Sequence, residues 1–427
     1  MSVRARADRY RNLLASSAAI VRRAGHLALA LAVLLQISCA EQPSEPPPEP
    51  SELSWDEIVE AARGTRVIWR MWRGDPAINA YVDGWVAPRV RELYGIELRA
   101  VEGQGPELVN HLVVEREARA AGTTDLAWIN GETFHNLRSE DLLYGPWGHR
   151  LPNAALVDST SPIIMYDFEQ SLNGFESPWG RVQFALIYDT VRTPYPPRTV
   201  AELSSWILSN PGRFTHDQSF TGTTFHKVLL YSLGGGVESF QGGFDEQRYR
   251  EGSALLWGWL DRHRSSFWRA GTVYPPGVAE LHRLFANGEV DFTMSYNENE
   301  VVSKVRQRVL PQSARALVLR DGTIANAHYL GIPGSAPNRA GAMVVANFLL
   351  SPEAQLEKMK PAVWADGTVL DLARLPPVWR ERFDALGQDP RAISMDTLRK
   401  YARPEVAPEY HERLASDWRQ RIRVRTR

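Results

Sequence analysis

The chain has 427 residues, in which 49 lysines and arginines face 50 aspartates and glutamates for a formal net charge of −1. Apolar residues make up 44% and aromatics 10%, an ordinary globular composition with no electrostatic bias toward nucleic acid. Cys39 is the one cysteine, so an intramolecular disulfide framework is excluded.

At the start, Arg4, Arg6, Arg9, Arg11, Arg22 and Arg23 precede the apolar run Leu27 to Leu35. Nine apolar residues fall well short of the roughly 20 that cross a bilayer. A basic segment followed by a short apolar core reads as an export signal over 1–38. Cys39 behind Ser38 resembles the lipobox of bacterial lipoproteins, which implies that this thiol is acylated, although Gln36 stands where the pattern has an aliphatic residue. Five prolines and four glutamates between Ala40 and Ser54 predict an extended tether over 39–54.

From Trp55 on, the period of the apolar residues decides the elements. Residues 65–72 read as a strand, and 76–93 as a helix with Asp75 as cap and Pro76 in its first turn. A strand over 96–102, a helix over 105–122, a strand over 124–130 and a helix over 131–145 complete a βαβαβα succession, which implies a mainly parallel sheet flanked by helices. A long strand follows over 181–189, then helices over 198–214, 221–235, 246–268 and 277–288. Val290, Phe292 and Met294 alternate with Asp291, Thr293 and Ser295, the pattern of a half-buried strand. The last long strand runs over 324–333, followed by a helical stretch over 338–359 and two more.

In open α/β sheets ligands bind beyond the carboxyl ends of the strands. Trp72 and Asp75 follow the first strand, Trp128, Asn130 and Glu132 the third, and Tyr296, Asn297 and Glu298 the half-buried one. Trp179 and Arg181 stand near the crossover, Thr221 and Thr223 at a helix start, and Asn326 and His328 on the last strand. Each place supplies a ring, an amide, a hydroxyl or a charge, the ingredients of a ligand cleft.

The stretches "WRMWRGDPAINAYVDGWVAPRV", "DLAWINGETF", "SPWGRVQFALIYD", "FTGTTF", "GEVDFTMSYN" and "GAMVVANFLLSPEAQLEKM", together with the signal, the cysteine and the tether, resemble the extracytoplasmic solute-binding proteins of bacterial ABC importers. They are similar to a branch associated with thiamine-class uptake. The resemblance implies two lobes, each a mostly parallel sheet with helices, joined by hinge strands near 181–189 and 325–333 and closing on one solute. Lobe 1 is expected at 55–180 and 326–427, lobe 2 at 181–325. The same resemblance implies a monomer that works without cofactor or turnover, delivers its solute to an inner-membrane permease and is held at the membrane by its lipid.

The side chains themselves narrow the solute in part. Trp72, Trp128, Trp179 and Tyr296 offer π-faces and Asp75, Glu132 and Glu298 negative charge, which suits a ring-bearing organic cation such as a thiamine-like compound. The start of the helix at Thr221 would favour an anionic substituent. A sugar fits the same set, and Asp75 with Glu132 would be the acid and base of a glycoside hydrolase. Plainer roles are open too: Trp72 and Trp128 in the core, Asp75, Thr221 and Thr223 as caps, Arg181 paired with a carboxylate, His328 satisfied within a hinge. The ten histidines lack metal-ligand spacing, and no metal is expected.

Overall fold

The computed structural model describes residues 49–387 and 389–425; the expected signal and Cys39 lie outside them. Pro50–Glu52 form a short 3-10 turn, Pro50 is buried, and Arg150 donates to the carbonyls of Pro50 and Leu53. The end of the expected tether is therefore part of the folded body. Ser54 then caps the helix Trp55–Ala62 in a reciprocal capping box with Glu57.

Two sheets organise the body. In the larger, β1 (Arg66–Met71) lies parallel to β2 (Glu97–Glu102) and to β3 (Leu126–Ile129), as the βαβαβα reading requires. The helix expected over 76–93 is one continuous rod with a π-helical turn, Val82–Val86, between Pro76–Tyr81 and Ala87–Tyr94. That turn precedes Pro88, whose missing N–H removes one donor from the regular ladder. A small hairpin, β4 (Tyr166–Asp167) and β5 (Gln170–Ser171), precedes the crossover.

The strand expected over 181–189 begins earlier and is two strands. β6 (Glu176–Gln183) pairs with β10 (Thr323–Gly331) in the larger sheet, and after Phe184 the chain continues as β7 (Ala185–Asp189) in the smaller one. The smaller sheet has the order β8 (Phe292–Ser295), β7, β9 (Ala314–Leu317), and β7 runs antiparallel to both neighbours. A mostly parallel sheet was expected here. The difference follows from the entry route, because β7 is a direct continuation of β6 rather than the product of a helical crossover. β10 returns antiparallel to β3 and β6, and β11 (Ala402–Arg403) lies parallel at its start.

Each sheet has its own core. Trp69, Trp128, Trp179, Tyr329 and the helix Arg339–Leu349 fill the first; Phe184, Phe214, Phe225, Phe292 and the helices Phe220–Leu233 and Glu246–His263 fill the second. Val406, Tyr410, Leu414 and Trp418 also pack in the second core, so the last helix, Pro408–Arg425, leaves the sheet to which β11 belongs. It touches both Gly131–Ser139, which follows β3, and Phe220–Leu233. Among the described residues no helix is long and apolar enough to cross a membrane.

Candidate functional site

Two polar clusters lie where the cores meet. The first gathers the turn after β1 and the segment after β8. Asp75 caps Pro76–Tyr81 by accepting from the Ala77 N–H at 2.7 Å, and its other oxygen accepts from the Lys304 ammonium at 2.6 Å. Lys304 stands 3.6 Å from Glu300, which accepts from the Ser295 hydroxyl, and that hydroxyl accepts from the Asn297 N–H at 2.9 Å. Burial pushes the Glu300 carboxyl up, but His282, Lys304 and Ser295 outweigh it and hold it at about 2. Asn297 also donates its amide to the Ala365 carbonyl at 3.4 Å, so one residue of the second sheet's strand end bridges to a loop of the first core.

The second cluster is built around the β4–β5 hairpin. Phe168 and Glu169 at its tip both have positive φ, 46° and 64°, the left-handed geometry of a two-residue hairpin turn, here carried by side chains that pay for it in strain. Asp167 accepts from the Gly131 N–H at the start of Gly131–Ser139 and from the Asn326 amide at 3.2 Å. Burial pushes its carboxyl up to about 7 against those two hydrogen bonds. Phe168 meets Phe220 and His411, and Glu169 accepts from the N–H groups of Gly242 and Gly243 at 3.0 and 2.8 Å. Fully buried Lys227 donates to both oxygens of Glu405 at 2.7 and 2.6 Å, and the Tyr296 hydroxyl donates to the same carboxylate at 2.6 Å. A cavity of about 550 Å³ opens beside this cluster, lined by Tyr166, Phe168, Phe244, Asn326, Glu405 and Glu409 among others.

The sequence candidates divide accordingly. Tyr296 and Asn326 belong to the second cluster, Asp75 and Asn297 to the first. Arg181 lies 3.9 Å from buried Glu298, which accepts from the Gln183 N–H at 2.7 Å just where β6 gives way to β7; the plainer pairing role holds for it. Trp72 is 37% exposed, beside the Gly74 backbone. Trp179 does not reach a cleft: it is wholly buried, edge-on to Trp69 at 5.3 Å and to Trp128 at 5.0 Å, because β6 is covered on both faces. His328 is satisfied by Asp366 at 3.3 Å and packed on Trp128 and Trp364. Asn130 stands at the start of Gly131–Ser139 without a side-chain cap bond.

Thr221 and Thr223 lie in the buried first turn of Phe220–Leu233, where the chain itself engages several of the donors that would meet an anion. Asp217 already accepts from the N–H groups of Ser219 and Gly222 at 2.7 and 3.2 Å, Ser219 accepts from Thr221, and the Thr223 hydroxyl donates to the Ser219 carbonyl. These donors of the helix start are satisfied by its own chain. Glu132 is held up by burial and by nearby Glu412, with Arg419 opposing, while Asp75 serves Lys304 and Ala77.

Asp167, Phe168, Lys227 and Glu405 escaped the sequence reading. One signal was present: Lys227 interrupts an otherwise apolar helical run, "FHKVLLY", and a lysine there needs a buried partner. Its partner is 178 residues away, beyond the reach of any spacing rule. Among the described residues no group of three or more His, Cys, Asp or Glu side chains is placed to hold a metal ion.

Comparison with known proteins places this architecture. The family of bacterial extracellular solute-binding proteins matches residues 87–382. The protein YnjB of Escherichia coli K12 is 37% identical over 332 residues, 77% of this chain and 85% of YnjB. Among solved structures, the Tp0655 (TpPotD) lipoprotein of Treponema pallidum is similar with a TM-score of 0.61 at 13% identity, over 84% of this chain and 99% of that one. The periplasmic binding protein AfuA of Actinobacillus pleuropneumoniae, with fructose-6-phosphate bound, has a TM-score of 0.56 at 14% identity, again over 84% and 99%. The two-sheet fold is thus shared with these structures, and by the family match and the relative the chain belongs to the bacterial extracellular solute-binding proteins.

Proposed function

We propose that this chain is the receptor of an ABC importer, capturing a small organic cation between two lobes and presenting it to a membrane permease. The lobes are the two cores, with hinges at Gln183–Ala185 and at the start of β10, and with the segment from Val406 on moving with the second core. Acylation of Cys39 would hold this monomeric body at the membrane, and Cys39→Ser would then release it into the soluble fraction.

The observation that carries the solute class is the lining of the 550 Å³ cavity: Glu169, Glu405 and Glu409 stand there with Tyr166, Phe168 and Phe244, and no lysine or arginine is among the lining residues. Carboxylates beside ring faces favour a cation, by about 0.5–2 kcal/mol per ring once water is removed. A thiamine-like compound, with one ring-borne positive charge, fits this chemistry. A volume of this size is also within the range of small-molecule sites, about 300–1,000 Å³.

Titration calorimetry of the purified protein with thiamine, spermidine and glucose tests the reading. One organic cation should bind per chain, with compaction in solution scattering. Glu409→Gln should weaken that binding about tenfold, or about 1.4 kcal/mol. Binding of glucose alone, or chemical conversion of the bound compound, defeats the proposal.

A further inference from the structure

The junction between the cores already holds a cation of its own. Lys227 is fully buried, and its ammonium sits 4.7 Å from the centre of the Phe168 ring and 5.0 Å from that of Phe220. Both oxygens of Glu405 accept from it at 2.7 and 2.6 Å, and Tyr296 braces that carboxylate from the other side. The Asp167 carboxyl lies within electrostatic reach of the same ammonium, and burial together with that ammonium holds the neighbouring His411 ring well below its ordinary range. Two ring faces and a carboxylate are the arrangement by which proteins recognise an ammonium group on a ligand. Here the ammonium comes from the protein.

Glu405 and Phe168 also line the cavity, so the box around Lys227 and the cavity share a wall. Glu169 is engaged by the N–H groups of Gly242 and Gly243. Glu405 and Glu169 being engaged within the protein, Glu409 is the lining carboxylate left to a solute with a single positive charge, while the second ammonium of a diamine, extended toward this wall, would meet a position already filled by a like charge. Repulsion of that kind is a usual means of rejecting the wrong partner.

We infer that Lys227 is a specificity-determining residue, filling an ammonium subsite from within so that the protein selects solutes with one cationic centre over diamines and polyamines. This rests on the reading of the cavity as a cation site. Calorimetric titrations of the whole protein with thiamine, putrescine and spermidine, repeated on Lys227→Ala and on Lys227→Ala with Glu405→Gln, test it. The unaltered protein should prefer thiamine by at least about tenfold. Lys227→Ala should lower that ratio at least about tenfold by admitting the second ammonium, and the double variant, whose box has lost both charges, should not admit it.

A folded Lys227→Ala with the original ratio, or an unaltered protein that prefers either polyamine, overturns the inference. Should Lys227→Ala fold poorly, its melting temperature decides: putrescine should raise it while leaving the unaltered protein unmoved, and an equal response in both proteins counts against the inference. If no cation binds at all, the cation reading itself falls and takes this one with it. If cations bind without discrimination, only the role of Lys227 is lost.

Discussion

Two buried lysine–carboxylate pairs, Lys358–Asp366 in the first core and Lys227–Glu405 at the junction, invite comparison because the chemistry is the same and the setting is not. Lys358 and Asp366 are both wholly buried, eight residues apart, at 2.8 Å; Lys358 also donates to the Gly367 carbonyl, and Asp366 accepts from His328. That pair fastens a loop to the helix just before it, against the Trp128, Trp179 and Trp364 rings. Lys227 and Glu405 join segments 178 residues apart, and Glu405 borders a cavity. A buried ion pair contributes little net stability over an apolar replacement, since desolvation offsets its attraction. What differs is what each pair is next to: solid core in one case, room for a guest in the other. Ring count alone does not separate the two places, for both are rich in aromatics.

The comparison is broken most forcefully by Lys358→Met. It strands the Asp366 charge in the core and should cost about 3–5 kcal/mol in urea unfolding, while the preference among cations stays where it was. A shift in that preference without loss of stability would show that the first core, too, faces the solute.

Asp167 sharpens the picture of the junction through pH. Its folded-state carboxyl is raised from its ordinary value near 3.8 to about 7 by burial. The stabilisation from the protonated form is therefore complete below 3.8 and is lost as the pH rises through about 7. Asp167→Asn mimics the protonated form at every pH. Measured against the unaltered protein, it should gain about 2.6 kcal/mol in relative stability between pH 5 and pH 8. A pH-independent difference would mean that this side chain is not held where the hairpin places it.

The smallest effect is expected at the outer cluster. Asp75 and Lys304 retain partial exposure, 14% and 10% of their side chains, and Lys304 keeps Glu300 nearby. Asp75→Ala should cost about 1 kcal/mol in thermal unfolding, mostly as a lost helix cap. A loss as large as that of Lys358→Met would erase the distinction between rim and interior.

Local pattern made much of the framework legible. The alternation through Val67, Trp69 and Met71 and through Phe292 and Met294 produced β1 and β8, and Asp75 was both the cap it resembled and something more. The crossover at residues 176–189 was half legible: its length announced a strand, but Phe184, where one sheet ends and the other begins, looks like any other apolar residue. The polar knot after β8 was found, since polar residues at the end of a buried strand need partners. Trp179 was misplaced because a ring has the same appearance in sequence whether it meets a ligand or another tryptophan.

By itself, then, the sequence determined the α/β order of elements, their caps and the strand ends where polar groups collect, because periodicity and capping act over a few residues. Only the tertiary structure decided which sheet the last helix joins, how β7 runs, and that Lys227 finds Glu405, Asn326 finds Asp167 and Phe168 finds Phe220. Those are meetings between distant segments, selected by burial and charge compensation after the chain has closed on itself, and no local rule carries that information.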